Sequence, residues 1–135
     1  MSSQSNVWIG RATALAIHEA QVREHGGLPG VRDLGLLEAA LTRPINAQGY
    51  AEHSVDVPTL AALYAIAIIR NHPFVDGNKR VGFVLMETFL ELNGYELTAS
   101  DVDSVHTIFS VAGGDLDDAG FTTWVRERSR PRPDR

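Results

Sequence analysis

Polar and apolar positions alternate along this chain with a helical period almost throughout. Trp8 to Glu24 reads as a first helix, with Trp8, Ala12, Leu15 and Val22 on one broad apolar side. His18 and His25 fall at its polar margin without obvious partners for a metal pair, and both read as structural or solvated. Gly26-Gly27 stops the helix and Leu28-Pro29-Gly30 makes a turn. Asp33 then offers an N-cap for a second helix from Leu34 to about Thr42, with Leu34, Leu37 and Leu41 on one face. Gly35 in its first turn is a mild cost, and Arg43-Pro44 is the expected end. Ile45 to Val55 has no clean period and reads as a short helix followed by a loop.

The middle of the chain is different. Asp56-Val57-Pro58 opens a helix in which Leu60, Leu63, Tyr64 and Ala67 mark one face while Ala61, Ala62, Ile66, Ile68 and Ile69 fill the others. A helix apolar on all sides is buried on most of them, so this one is the expected core spine. It runs into the polar stretch Asn71-His72-Pro73-Phe74-Val75-Asp76-Gly77-Asn78-Lys79-Arg80. A further helix follows to Leu92, with Val81, Val84, Leu85, Thr88 and Leu92 as its inner stripe, and Asn93-Gly94 stops it. Tyr95-Glu96-Leu97 is short and extended. Ser100-Asp101-Val102-Asp103 resembles a capping box with Asp in place of Glu, opening a helix that turns Val102, Val105 and Phe109 inward and ends at Gly113-Gly114. Asp115 or Asp117 caps a last helix with Phe121, Trp124 and Val125 on its apolar face. Residues up to about Asn6 are expected to fray, and 129–135 to form a disordered tail with residues 7–128 ordered.

At 135 residues the chain is read as one domain, all-α, of six or seven helices with at most a trivial strand pair. Its net charge of −5 argues against a general nucleic-acid binder, so no direct nucleic-acid partner is expected. It has no cysteine, which excludes a disulfide framework and thiol chemistry and fits a cytoplasmic location. The polar start Met1-Ser2-Ser3-Gln4-Ser5-Asn6 lacks the regions of a signal peptide, and the apolar run Leu60 to Ile69 is too short to span a bilayer, so no membrane association is expected.

Chemistry concentrates in the polar stretch. Burying a His, an Asp, an Asn and two cations between apolar helices costs several kcal/mol unless a network or a ligand satisfies them. Pro73 biases His72 away from helical angles, so the upstream helix ends there. Asp76-Gly77-Asn78 is turn chemistry and a helix start. The next helix then presents free N–H groups, which attract anions, and Gly77 allows close approach to the backbone. Lys79 and Arg80 add positive charge. Asp76 would repel phosphate unless a cation intervenes, and magnesium on one carboxylate plus substrate phosphates resolves this. His72 can serve as a general base. Arg70 can reach a phosphate, stay solvated, or favour the helix C-terminus electrostatically. Phe74 reads as an anchor pinning the loop to the core. Each residue alone also has an ordinary explanation as a capped helix start, a solvated turn or a satisfied interface histidine. The joint pattern is the stronger signal.

That pattern, His72-Pro73-Phe74-Val75-Asp76-Gly77-Asn78-Lys79-Arg80, resembles the core motif of the Fic/Doc family, in which His, Phe, an acidic residue, Asn and Arg recur at this spacing. It is most similar to the Doc branch, the death-on-curing toxins, which carry Lys where Fic enzymes have a second Gly; Lys79 occupies that position. A second Arg of Fic enzymes is replaced by Phe83, whereas Gly77 is Fic-like, since some Doc proteins have Ala there. Gly26 to Asp33 looks like the Doc loop after the first helix, and the likeness runs roughly from Leu15 to Arg128.

The resemblance implies a compact domain around a buried central helix and an ATP-dependent protein kinase of the toxin–antitoxin type. Such an enzyme transfers the γ-phosphoryl of ATP to a protein hydroxyl, with elongation factor Tu the expected target, and blocks translation. His72 would be the base, Asp76 the magnesium ligand, and Gly77, Asn78, Lys79 and Arg80 the phosphate-binding set. Part of 45–55 would form a flap beside the site, or be an ordinary connector. A cognate Phd-like antitoxin is the expected partner. The inhibitory helix of some Fic proteins has Ser or Thr, three spacers, Glu, then Gly or Asn; its nearest match, Thr123 to Arg128, is broken by Arg128. The alternatives are a Fic-type adenylyltransferase and a non-catalytic partner-binding module.

Overall fold

A computed structural model describes residues 6–133. In chain order the elements are α1 (Arg11–His25), α2 (Leu34–Tyr50), α3 (Val57–Asn71), α4 (Asn78–Leu92), β1 (Tyr95–Leu97), α5 (Asp101–Ala112), α6 (Asp118–Glu127) and β2 (Ser129–Pro131). The fold is the expected all-α arrangement of six helices with one two-stranded antiparallel pair. The expectations for residues 1–5 and 134–135 lie outside the described residues.

α3 is the spine. Asp56 caps it, its carboxylate accepting the Thr59 N–H at 2.9 Å. Ten of its fifteen residues are buried, so it needs neighbours on every side, and α2, α4, α5 and α6 all pack against it. Side chains such as Leu60, Ile66 and Ile68 are fully buried. Each contributes about 1.5–3 kcal/mol by leaving water. Tyr64 is buried among them with its hydroxyl satisfied: it accepts the Ile9 N–H at 3.0 Å. Burial pushes the Tyr64 phenol up from its ordinary pKa, with the Ile9 N–H opposing. The segment before α1 is thereby drawn onto the core, and Ile9 is buried.

Several expectations are corrected. α1 begins at Arg11, leaving Trp8 ahead of it, and its buried positions are Ala14 and His18, while Ala12 is exposed. α2 does not end at Arg43-Pro44 but continues to Tyr50. Pro44 lacks the N–H that would bond back one turn, but its ring is buried, and packing against the core outweighs one missing bond. Leu34 at the start of α2 is exposed. On α4 the buried stripe is Val81, Leu85, Met86, Phe89 and Leu90; Val84 and Thr88 are half-buried and Leu92 is exposed.

α5 is rotated relative to its expected orientation. Val102 is 81% exposed, Val105 56% and Phe109 59%, while Ser104, Thr107, Ile108 and Val111 face inward. Thr107 can be buried because its hydroxyl donates to the Asp103 carbonyl at 2.8 Å within the same helix.

The expected disordered tail is also corrected. Ser129 to Pro131 pairs with β1, with Tyr95 opposite Pro131 and Leu97 opposite Ser129. Arg130 bonds Glu96 at 2.6 Å across the pair, and the Arg132 N–H reaches the Gly94 carbonyl at 2.8 Å.

Candidate active site

The polar stretch sits where α3 hands over to α4. His72 closes α3 in a left-handed conformation, φ 52° and ψ 53°. Proline after it argued for leaving the helix, as it does, but toward extended rather than left-handed angles. The loop then turns on two side chains. Asn78 accepts the Phe74 N–H through Oδ1 at 3.0 Å and donates from Nδ2 to the Phe74 carbonyl at 2.9 Å. Phe74 is fully buried, as its anchor reading requires.

The Phe74 ring is covered on one face by His18 of α1. Their rings stack with centroids 4.1 Å apart and planes 9° from parallel. His18 Nε2 lies 3.0 Å from the Asp76 carbonyl oxygen. A carbonyl has no proton to give, so Nε2 is the donor. His18 is only 5% exposed and belongs to the site's framework. The structure shows His18 four residues after buried Ala14 and so on the same helix face, a face the sequence pattern did not single out.

The loop between α1 and α2 lies alongside. Val75 donates to the Gly30 carbonyl at 3.0 Å, and the Arg32 and Asp33 N–H groups both reach the Pro73 carbonyl, at 2.7 and 3.0 Å. The Asp76 carboxylate accepts the Leu28 N–H at 3.1 Å and the Gly77 N–H at 2.9 Å. The contact is close enough that a Cβ on Gly27 would lie 2.9 Å from Asp76 Oδ2, and Gly27 has φ +107°. The Leu28 N–H, then the Gly77 N–H, hold the Asp76 carboxyl below its ordinary pKa, with smaller help from Arg80 and His18. Asp76 is therefore ionised at neutral pH.

Beyond Gly77, itself left-handed at φ 82°, α4 begins. Its first intrahelical bond is Val81 N–H to the Gly77 carbonyl at 2.9 Å. The N–H groups of Asn78, Lys79 and Arg80 are thus left without an intrahelical acceptor. These three residues line a cavity of about 740 Å³. Its polar side holds Arg70, His72, Asp76, Gly77, Asn78, Lys79 and Arg80. Its apolar side is Phe83 with Val105, Ile108 and Phe109 of α5. Lys79 Nζ lies 5.3 Å from the centre of the Phe109 ring. Arg80 forms no ion pair among the described residues and also lines a smaller cavity of about 230 Å³ against α1, beside His18 and Gly27.

The structure thus brings His72, Asp76, Gly77, Asn78, Lys79 and Arg80 to one place. Two of the named residues are committed elsewhere. The Asn78 amide clamps Phe74, so only its backbone N–H is left without an intrahelical acceptor. Arg70 donates to the Val111 carbonyl at 2.9 Å and to Asp118 at 3.0 Å, which fits the structural half of its reading. No residue of 45–55 lines the cavity. His18, Gly27 and Arg32 were not recognised as site residues, because each acts through contacts made some 40 or more positions away.

Comparison with known proteins follows the same residues. A family model described as the Fic/DOC family matches residues 8–90. "Protein kinase doc" of Escherichia phage P1 is 36% identical over 83 residues, which cover 62% of this chain and 65% of that protein. The chain therefore matches just under two thirds of the phage protein's length. "Toxin Doc" of Mycolicibacterium smegmatis is 42% identical over 98 residues, 68% of this chain and 72% of that protein. The left-handed histidine at the end of a buried helix, the anchored phenylalanine and the open helix start all fall within the matched span, and the chain belongs to the Fic/DOC family.

Proposed function

We propose that the chain is a Doc-type toxin, a protein kinase that moves the γ-phosphoryl of ATP onto a protein hydroxyl. Elongation factor Tu is the proposed target, translation arrest the consequence, and a cognate Phd-like antitoxin the partner. The observation that carries this reading is that His72 and the first three residues of α4, whose N–H groups have no intrahelical acceptor, line one cavity large enough for a nucleotide. The names of the two relatives agree with it.

In this reading His72 takes the proton of the attacking hydroxyl as its oxygen bonds the γ-phosphorus. The bond to the β-phosphate oxygen breaks and ADP leaves. The Asn78, Lys79 and Arg80 N–H groups, with the Lys79 and Arg80 side chains, hold the phosphates as negative charge shifts toward the leaving group. Asp76 fits a magnesium ion only in part. Its carboxylate already accepts two N–H groups, and among the described residues no group of three or more His, Cys, Asp or Glu side chains is placed to hold a metal. Asp76 would therefore hold magnesium together with the substrate phosphates, and the ion would supply charge neutralisation there.

Lys79 and Phe83 favour the γ position. Lys79 reaches across the cavity toward α5, away from the α4 backbone, and so meets a distal phosphate. Phe83 puts an apolar ring on the cavity wall. AMP transfer is the second reading, favoured by Gly77, beside which a Cβ would meet nothing within 4 Å, leaving room for inner phosphates. The test incubates the protein with elongation factor Tu and ATP labelled at the α or the γ phosphorus. Label from γ alone is expected. Label from α rejects the kinase in favour of adenylyl transfer, and label from neither leaves a binding module.

A further inference from the structure

Among the described residues, His72 is the one non-glycine with positive φ. Left-handed angles are disfavoured for a side-chain-bearing residue, and a proline following makes them more so. Such a conformation persists only where the surroundings hold it. Its own N–H helps, donating to the Ile68 carbonyl at 3.0 Å. The remaining contacts come from Arg32, 40 positions upstream: Nε donates to the His72 carbonyl at 2.7 Å and Nη2 to the Asn71 carbonyl at 3.0 Å.

Those two carbonyls end α3 and have no acceptor role left inside the helix. The helix dipole favours a cation at that end. The planar guanidinium presents donors in a fixed fork, which suits two successive carbonyls as a flexible ammonium does not. Arg32 also has no carboxylate partner among the described residues, although its side chain is exposed. Its main chain is fixed too, because its N–H and that of Asp33 share the Pro73 carbonyl. Every polar contact that Arg32 makes therefore falls on Asn71, His72 or Pro73.

We infer that Arg32 is a positioning residue for His72: its guanidinium closes the end of α3 and fixes the left-handed turn that places the His72 ring on the cavity wall. Arg32 touches neither phosphate nor hydroxyl and acts through the backbone. The catalytic part of this inference rests on the reading of His72 as the base, whereas the structural part does not.

The test uses the full chain with Arg32→Ala and Arg32→Lys. In Arg32→Ala the His72 amide should exchange with solvent about tenfold faster or more, because the helix end is released, while Ile66 in the middle of α3 keeps its protection. For γ-phosphoryl transfer, kcat should fall roughly ten- to hundredfold, the scale of a misplaced reacting group, with KM for ATP within about twofold. Arg32→Lys should recover part of both effects, since an ammonium can satisfy one carbonyl. Wild-type exchange at His72 in Arg32→Ala overturns the inference. So does a raised KM with kcat intact, which would make Arg32 a substrate contact. If the wild-type chain transfers no phosphoryl group, the kinase reading fails and the exchange measurement alone decides what Arg32 does.

Discussion

His72 and Asp76 differ in how the fold would tolerate losing them. The His72 ring is exposed at a helix end, so removing it leaves little unpacked. His72→Ala is expected to keep the wild-type melting temperature, and to lower the rate of transfer by about 10²–10⁴-fold, the usual contribution of a general base. Thermal denaturation beside a labelled-ATP assay reads both, and an alanine variant as active as wild type would remove His72 from the role of base. Asp76 carries a structural tether as well as its proposed charge. The Leu28 and Gly77 N–H groups hold its carboxyl below the ordinary range, so folding favours the ionised form. The tether is thus fully present above the unfolded-chain value of about 3.9 and is lost as pH falls through the lower folded value. Amide exchange at Leu28 should therefore stay slow down to about pH 4 and accelerate only in stronger acid. Acceleration already between pH 5 and 6, above the ordinary range of an aspartate, would show that another group holds the loop.

The elements show what periodicity can and cannot say. α3 was legible because it is apolar all round, and the starts of α3, α4, α5 and α6 were marked by Asp56, the Asp76-Gly77-Asn78 turn, Ser100 and, of the two candidates Asp115 and Asp117, Asp117. α5 was legible as a helix but not in its rotation. Val102, Val105 and Phe109 form a stripe at helical spacing, yet Ser104 and Thr107 occupy the buried side, because a helical threonine can satisfy its hydroxyl locally and a serine is small. Spacing reveals that a stripe exists, and only the neighbours reveal where it faces. Part of this stripe, Val105 and Phe109, lines the cavity, which gives it a use other than core. Val102→Ala separates the two orientations. With the side chain 81% exposed, the change should alter unfolding free energy by no more than about 0.5 kcal/mol in a denaturant titration. A loss of about 2 kcal/mol or more, as for a buried aliphatic residue cut to alanine, would return Val102 to the core. The β1–β2 pair was half legible: Tyr95 to Leu97 read as extended, but its partner lies 34 positions on at Arg130, and three residues carry no period of their own. Pro44 misled for a related reason, since its local penalty is real but its ring is buried. The site divides likewise. The residues of one continuous stretch could be read together, whereas His18 and Arg32 join it only after folding.

For the whole molecule the question is what restrains the proposed activity. The cavity is lined by the end of α3, the loop after it, α4 and α5, and no described residue of α6 borders it. α6 has other work: Phe121 and Val125 are fully buried, and Trp124 is half-buried with the Arg128 guanidinium 5.5 Å from its ring. Arg128, the residue that breaks the inhibitory pattern, is itself tied to Asp103 at 3.1 Å. A helix so engaged with α3 and α5 cannot also swing over His72 without exposing its core face. Among the described residues, then, no α6 side chain covers the cavity, and Lys79 and Arg80 line it and are exposed. Under the toxin reading, restraint is expected from a separate protein, whose disordered segment could order on this surface. Induced alone in cells, the chain should arrest growth; His72→Ala should not, and co-expression of the protein encoded beside it should restore growth to the wild-type chain. Rescue should also require physical association, detectable as a single species by size-exclusion chromatography at micromolar concentration. Unimpaired growth at high expression of an intact, folded chain, with no neighbour present, would contradict the toxin reading.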